Sequence, residues 1–154
     1  MAFISNIKIK SDQTRMDFIG HLVSDQIYET LLQQFSKARV LEAYLLETNG
    51  QGDFWAEFDE VAEKLAENSP IRNLMAAPEG VVDYVYPLRG NEPLVGLDLN
   101  ENGPGNLEAQ AAASGSDITM AGPFILVEGG EGIAGRLPVY LYHENGERYL
   151  WGLV

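Results

Sequence analysis

An amphipathic helix is the clearest pattern in the first third of the chain. Apolar residues recur there every four positions, as they do along one face of an α-helix. The row comprises Ile19, Val23, Ile27, Leu31 and Phe35. Between residues 3 and 49 the sequence has no proline and one glycine, Gly20. We therefore predict a long helix within residues 1–50 that ends at Asn49-Gly50-Gln51-Gly52.

This helix is longer than a small domain needs to cover its own core, so two interpretations stay open. It could be a core helix, or it could be a stalk through which two copies of the chain dimerise. The apolar row is the surface on which parallel helices pair, and it favours a homodimer through residues 15–35. The chain then divides into a stalk over residues 1–50 and a globular module over residues 51–154.

A second helix is predicted directly after the stalk. Asp53 is a typical N-cap residue, and apolar side chains follow it at helical spacing. They are Phe54, Phe58, Val61 and Leu65. Asn68-Ser69-Pro70 marks the end of this helix, because proline cannot continue it.

Beyond Pro70 the apolar period changes to that of strands. Asn106 begins an alanine-rich helix that stops at Gly115, and Asn145-Gly146 is a typical hairpin turn. The predicted strands are Ile71–Ala77, Val81–Leu88, Ile118–Glu128, Leu137–Tyr142 and Tyr149–Val154. The order of elements predicts an α+β fold, in which a long helix precedes a mostly antiparallel sheet of five strands.

The composition limits the possible partners of this module. The formal net charge is −13, and residues 78–154 carry 11 acidic and 3 basic side chains. Such a surface repels phosphate backbones, so we expect no nucleic-acid binding. The chain has no cysteine, which excludes disulfides and thiolate metal sites. No apolar run approaches the length of a membrane span, and the abrupt helical start suggests a fragment of a longer protein.

The glycine-rich segment "GGEGIAG" at residues 129–135 contains G-x-G-x-x-G, the sequence motif of a dinucleotide-binding loop. Such a loop must open a helix, because the pyrophosphate sits on the free N–H groups of that helix. Here Gly135 is followed by Arg136-Leu137-Pro138-Val139-Tyr140, in which the proline excludes a helix and the neighbours favour a strand. We therefore predict a turn between two strands and no nucleotide cofactor.

No catalytic or metal-binding constellation stands out. Asp98-Leu99-Asn100-Glu101-Asn102-Gly103 begins like a calcium loop, but its twelfth position is Ala109 where a bidentate glutamate is needed. His21 and His143 are the only histidines, and neither has a nucleophile beside it in the sequence. A small hydrolase is therefore the least favoured class, with no catalytic residue, no metal and no cofactor expected.

Aromatic residues on the predicted strands leave two interpretations open. They are Tyr84, Tyr86, Tyr140, Tyr142 and Trp151. They could pack the core of the sheet, or some of them could line a small-molecule pocket. Arg89 and Arg136 are two of the three basic residues after residue 77. Either arginine could meet an anionic ligand or neutralise acidic neighbours.

Several segments, in this order, resemble the CHASE domain. They are "APEGVVDYVYPL" at 77–88, Gly90-Asn91-Glu92, "VGLDL" at 95–99, the helix that ends at Ser114-Gly115, "AGPF" at 121–124 and "LPVY" at 137–140. The resemblance covers the whole chain, including the long leading helix, and it is densest over residues 78–142. No single motif is diagnostic, but their order and spacing together are specific.

The resemblance implies an extracytoplasmic (periplasmic) sensor domain. CHASE domains lie between two transmembrane helices of receptor histidine kinases, diguanylate cyclases and related enzymes. The family fold is a stalk helix followed by PAS-like α+β modules, and the stalk forms the dimer. The resemblance thus implies a ligand-binding, non-catalytic, membrane-anchored domain. A structural dimerisation module that senses a partner protein is the alternative.

The resemblance also implies a set of ligand-binding residues. In the plant members, which bind substituted adenines, an aspartate at the position of Asp98 hydrogen-bonds the ligand and a residue at the position of Met120 lines the pocket. Glu128 lies near a position where those receptors use threonine. This chain holds one PAS-like module where the plant receptors hold two. We expect Asp98 to point into the cavity near Met120, with apolar walls from Tyr84, Tyr86, Leu126 and Tyr140 and with Arg136 available to an anionic group.

Overall fold

The computed structural model describes the backbone of residues 2–51 and 54–154, and the side chains of residue 17, residues 20–51 and residues 56–154. The α+β fold predicted from the sequence is confirmed. The helices are α1 (Ala2–Phe35), α2 (Ala38–Thr48), α3 (Phe54–Ala66) and α4 (Asn106–Ala113), with a short 3₁₀ helix at Glu92–Leu94. The strands are β1 (Leu74–Pro78), β2 (Tyr84–Tyr86), β3 (Thr119–Ile125), β4 (Glu131–Arg136), β5 (Pro138–Tyr142) and β6 (Arg148–Leu153).

The predicted single helix over residues 1–50 is two helices. The backbone turns at Ser36 and Lys37, where the N–H groups of Lys37, Arg39 and Val40 each bond to the carbonyl three residues earlier and interrupt the helical ladder. The chain divides into two compact units, the first ending at Gln33 and the second running Gln34–Val154, so α2 belongs to the second unit. Leu41 and Leu45 are fully buried there, which explains why α2 stays with the module rather than continuing as a stalk.

The ends of the helices follow the sequence signals. Asn49 adopts the left-handed conformation, with φ of 48°, and its N–H group caps the carbonyls of Leu45 and Leu46. The predicted N-cap, Asp53, lies outside the described residues, as do the side chains of Ile19 and Phe54. Among the described residues, no helix combines the length and the apolar character needed to cross a bilayer.

The strands form two antiparallel sheets rather than one. The larger sheet has the order β2-β1-β6-β5, and β3 pairs with β4 in a separate two-stranded hairpin. The additional strand is β4, which the sequence assigned to a turn. Gly129 and Gly130 do form the turn, with φ of 95° and 82°, but Gly132 and Gly135 lie inside β4.

Close packing explains the glycines inside β4. A Cβ atom at Gly132 would lie 2.6 Å from the Leu126 side chain, and one at Gly135 would lie within 2.3 Å of the Phe35 ring. Glycine in a strand interior often marks such a close approach. The segment after Gly135 is strand β5 and not a helix, so the element that a dinucleotide loop requires does not follow these glycines.

Two apolar clusters cover the two faces of the larger sheet. The first joins α2 and α3 to the sheet around Phe58 and Trp151. The second joins α4 and the 82–99 segment around Val82, Leu94 and Leu99. The hairpin β3–β4 lies over this second side, and the space beneath it forms the candidate site.

Candidate functional site

A mostly apolar cavity of about 130 Å³ lies between the β3–β4 hairpin and the larger sheet. Its floor comes from β1 and the end of β6, and its other walls come from the 82–99 segment and the start of α2. The last two residues of α1, Gln34 and Phe35, complete the wall. Such a concave site with few polar groups is the usual form of a small-molecule pocket.

Arg136 is the positive group of the cavity. The residue is 8% exposed, and its Nη1 atom is buried without a hydrogen-bond partner among the described residues. No described carboxylate oxygen lies within 4.0 Å of the guanidinium. The guanidinium carbon lies 5.8 Å from the centroid of the Phe124 ring, at the outer limit of a cation–π contact.

The electrostatics of Arg136 follow from this burial. Loss of solvent lowers the pKa of the guanidinium, and the more distant Glu108 opposes that change. Arginine remains charged at neutral pH even so, because its ordinary pKa lies far above neutrality. A buried charge without a partner destabilises a fold, so the arrangement is unfavourable unless an anionic group reaches Nη1.

Glu128 is the negative group of the cavity. Its Oε1 accepts a hydrogen bond of 3.0 Å from Asn73 Nδ2, whereas Oε2 is buried without a partner among the described residues. Asn73 Nδ2 also lies 3.2 Å from Asn91 Oδ1, and Asn91 Nδ2 donates to the Pro87 carbonyl. This chain of amides fixes one carboxylate oxygen and leaves the other available to a hydrogen-bond donor.

Three of the residues singled out from the sequence line the cavity, namely Leu126, Glu128 and Arg136. Tyr84 and Tyr86 do not, because alternate residues of a strand point to opposite faces. Both tyrosines pack on the α3 side of the sheet, where the Tyr84 ring lies 5.7 Å from that of Phe58. Val85, between them, belongs to the cluster on the cavity side.

Asp98 lies outside the cavity wall, contrary to expectation. Its neighbours Leu97 and Leu99 face the cavity, so the intervening side chain points away. Asp98 Oδ1 accepts hydrogen bonds of 2.9 Å from both the backbone N–H and the Nδ2 of Asn100. The residue is a turn former, and among the described residues no group of three histidine or carboxylate side chains could hold a metal ion.

Met120 and Tyr140 are also absent from the cavity wall. Met120 pairs with Gly135 near the start of β3. The Tyr140 hydroxyl donates to the carbonyls of Ala113 and Gly115, at 2.9 and 2.8 Å, and Arg148 stacks on the Tyr140 ring at 3.9 Å. Tyr140 therefore anchors the end of α4 to β5.

Sequence reasoning missed Asn73, Gln34 and Phe35, which all line the cavity. Asn73 lies just before β1, where a polar residue resembles an ordinary strand boundary. Phe35 was assigned to the apolar row of the stalk. The one available signal was the set of glycines in "GGEGIAG", since Gly135 leaves the space that the Phe35 ring fills.

Comparison with known proteins decides the family. The family model of the CHASE domain matches residues 57–154. The chain belongs to the CHASE domain family. No curated protein matches the chain. The resemblance derived from the sequence is thereby confirmed, and this CHASE domain is an extracytoplasmic sensor domain.

A solved structure supports the same fold. The CHASE domain resembles an extracellular ligand binding receptor from Desulfohalobium retbaense DSM5692, with a TM-score of 0.56 and 20% sequence identity. The match covers 83% of this chain and 23% of the receptor chain. The chain thus spans about a quarter of the length of that receptor, and at this identity the likeness concerns the fold alone.

Proposed function

We propose that this CHASE domain is the ligand-sensing part of a membrane-anchored receptor and binds a small molecule in the cavity beneath the β3–β4 hairpin. The observation that carries the proposal is the pair of buried, unpartnered atoms, Arg136 Nη1 and Glu128 Oε2, in one apolar cavity. Buried polar groups are normally paired, so an unpaired one calls for a partner, such as a bound ligand. The fold is shared with a protein described as an extracellular ligand binding receptor.

The position of the cavity supports transmission through α1. Gln34 and Phe35, the last residues of that helix, line the cavity. Gln34 Oε1 accepts a hydrogen bond from Ser69 Oγ, and Phe35 packs against Gly135. A ligand in the cavity would therefore contact the last residues of α1. By family resemblance, the helix would carry that state to a cytoplasmic kinase, diguanylate cyclase or phosphodiesterase.

A ligand screen with a blocked cavity tests the sensing proposal. We expect at least one compound from a panel of short carboxylates, amino acids, amines and nucleobases to raise the melting midpoint of the domain. A ligand at 100 times its dissociation constant adds about 2.7 kcal/mol of stability. Ile133→Trp, on the cavity wall, should remove this effect.

Ile125→Trp is the matched control, because Ile125 lies on the same hairpin, is 61% exposed and does not line the cavity. It should keep the ligand response of the parent. Ala134→Phe provides a second blocked variant in case Ile133→Trp does not fold. The proposal is overturned if no compound stabilises the parent, or if the stabilising compounds act equally on the blocked variants.

We also propose that the receptor forms a homodimer through α1. Among the described side chains of this helix, Leu22, Val23, Ile27 and Tyr28 are each about half exposed. Apolar residues at i and i+4 on one exposed helical face are what a parallel helix pair buries. A membrane anchor would strengthen the pairing by raising the effective concentration of the helices.

Light scattering of the isolated chain tests the dimer. The parent should show a molar mass that rises toward that of a dimer as concentration increases, and Ile27→Asp should remain monomeric because a charge then lies in the apolar row. Gln26→Asp, an adjacent substitution that adds the same charge beside the row, should behave as the parent does. Monomers throughout for all three proteins would contradict dimerisation through this helix.

A further inference from the structure

The two unpartnered groups of the cavity lie at opposite ends of the β3–β4 hairpin. Glu128 is in the loop that follows β3, where Leu126 and Gly130 close the turn with a backbone hydrogen bond. Arg136 is the last residue of β4 and pairs with Thr119 at the far end of β3. β4 spans six residues, so the two side chains enter the cavity from backbone positions at opposite ends of the hairpin.

The larger sheet shows the same separation. Glu128 bonds to Asn73, directly before β1. Arg136 precedes Leu137, which exchanges backbone hydrogen bonds with Val154 after the end of β6. In the larger sheet β6 lies between β1 and β5, so at about 4.8 Å per strand spacing the two positions are roughly 10 Å apart across the sheet. The cavity therefore extends across the strands, with the carboxylate on the β1 side and the guanidinium on the β5 side.

The wall between the two charges is apolar. Leu126, Ile133, Val82 and Leu97 contribute to it, and no nitrogen of Arg136 lies within 4.0 Å of a Glu128 oxygen. The two groups therefore do not neutralise each other directly. A molecule that satisfies both must carry an acceptor and a donor on opposite sides of an apolar spacer.

The size of the cavity limits that molecule. A cavity of about 150 Å³ lined by aliphatic and aromatic side chains takes benzene, and this cavity measures about 130 Å³. The enclosed part of the cavity therefore suits a small molecule, of about the size of benzene or somewhat longer.

We propose that the cavity binds a small ω-amino carboxylic acid. Its carboxylate accepts from Arg136 Nη1, its ammonium group donates to Glu128 Oε2, and its methylene chain lies against the apolar wall. Each buried charge of the site then meets its opposite, which is the condition under which buried charges are tolerated. This ligand class rests on the proposed sensing function of the same cavity.

Three compounds of matched size test the proposal by calorimetric titration of the folded domain. 6-Aminohexanoate carries its amine at the far end of the chain. Norleucine is its isomer, with the amine beside the carboxylate, and hexanoate lacks the amine. We expect 6-aminohexanoate to bind about 10- to 150-fold more tightly than either, which is the range for one charge-assisted hydrogen bond.

Single substitutions test which residue binds the amine of the ligand and which binds its carboxylate. Glu128→Gln should weaken 6-aminohexanoate by about 10- to 150-fold and leave hexanoate unchanged, because only the amine meets Oε2. Glu131→Gln, an exposed substitution at the start of β4, is the matched control and should bind as the parent does. Arg136→Met should weaken both compounds, yet melt at or above the parent temperature, because it removes a buried charge without a partner.

Different binding results would contradict the proposed ligand class and the proposed sensing function. Equal binding of norleucine and 6-aminohexanoate, or no effect of Glu128→Gln on the difference between 6-aminohexanoate and hexanoate, would overturn the two-ended ligand. If none of the three compounds binds, the ligand class is also overturned. The sensing function is judged independently, by whether another panel compound stabilises the parent and not Ile133→Trp.

Discussion

Replacing Gly152 with alanine is expected to lower the free energy of unfolding by about 3 kcal/mol or more. Gly152 lies in β6 opposite Pro78 of β1 and Val139 of β5. An added Cβ atom would lie 2.1 Å from the carbonyl oxygen of Ala77, which is backbone and cannot move without separating the central strands. The same distortion would reach the cavity, because Ala77 and Leu153 form part of its floor.

Chemical denaturation of Gly152→Ala and of Gly146→Ala separates the two costs of losing a glycine. Gly146, in the β5–β6 turn, has φ of 82° and nothing within 4 Å of its Cβ position. It should lose only the left-handed preference, about 1–2 kcal/mol. Gly152 has no positive φ, so its loss is steric alone. Equal losses in the two variants would contradict a close approach between β1 and β6.

The elements that could be predicted from the sequence are those with strong local signals. Asn106 and Gly115 bounded α4 to within two residues, and Asn145-Gly146 placed the β5–β6 hairpin. Strand β4 was missed because four of the seven residues from 129 to 135 are glycines, which usually indicate a turn. Their role is tertiary, since Phe35 and Leu126 fill the space that side chains would occupy.

The candidate site was predictable only in part, for a physical reason. Arg136 stood out because basic residues are scarce in residues 78–154, and Glu128 stood out through the family resemblance. Whether a charge has a partner depends on contacts between distant segments, as between Glu128 and Asn73. The resemblance implied a ligand-binding role for Asp98, but Asp98 does not line this cavity and its Oδ1 accepts hydrogen bonds from Asn100 instead.

The source of the charged groups in the cavity differs from what the family resemblance implies. The sensor fold is retained, but the charged groups of the cavity, Glu128 and Arg136, come from the β3–β4 hairpin rather than from the Asp98 segment. A hairpin closed by a two-glycine turn tolerates sequence change in its loop.

The break between α1 and α2 had no proline or glycine to signal it. The boundary follows instead from which residues the module buries, and α2 supplies Leu41 and Leu45 to the core around Phe58. Lys37 Nζ also donates a 3.0 Å hydrogen bond to the Leu65 carbonyl at the end of α3. The second compact unit, which runs from Gln34 to Val154, therefore includes α2.

Truncation of Leu45 tests this boundary with the neighbouring Leu46 as control. Leu45 is fully buried among α3 and the sheet, whereas Leu46 is 45% exposed. Leu45→Ala should lower the free energy of unfolding by about 2–5 kcal/mol, because it removes buried methyl groups and leaves a cavity. Leu46→Ala, with the same change in helix propensity, should cost no more than about 0.5 kcal/mol. If α2 were part of a stalk outside the module, urea denaturation would give two similar and small losses, since neither side chain would contribute to the cooperative core.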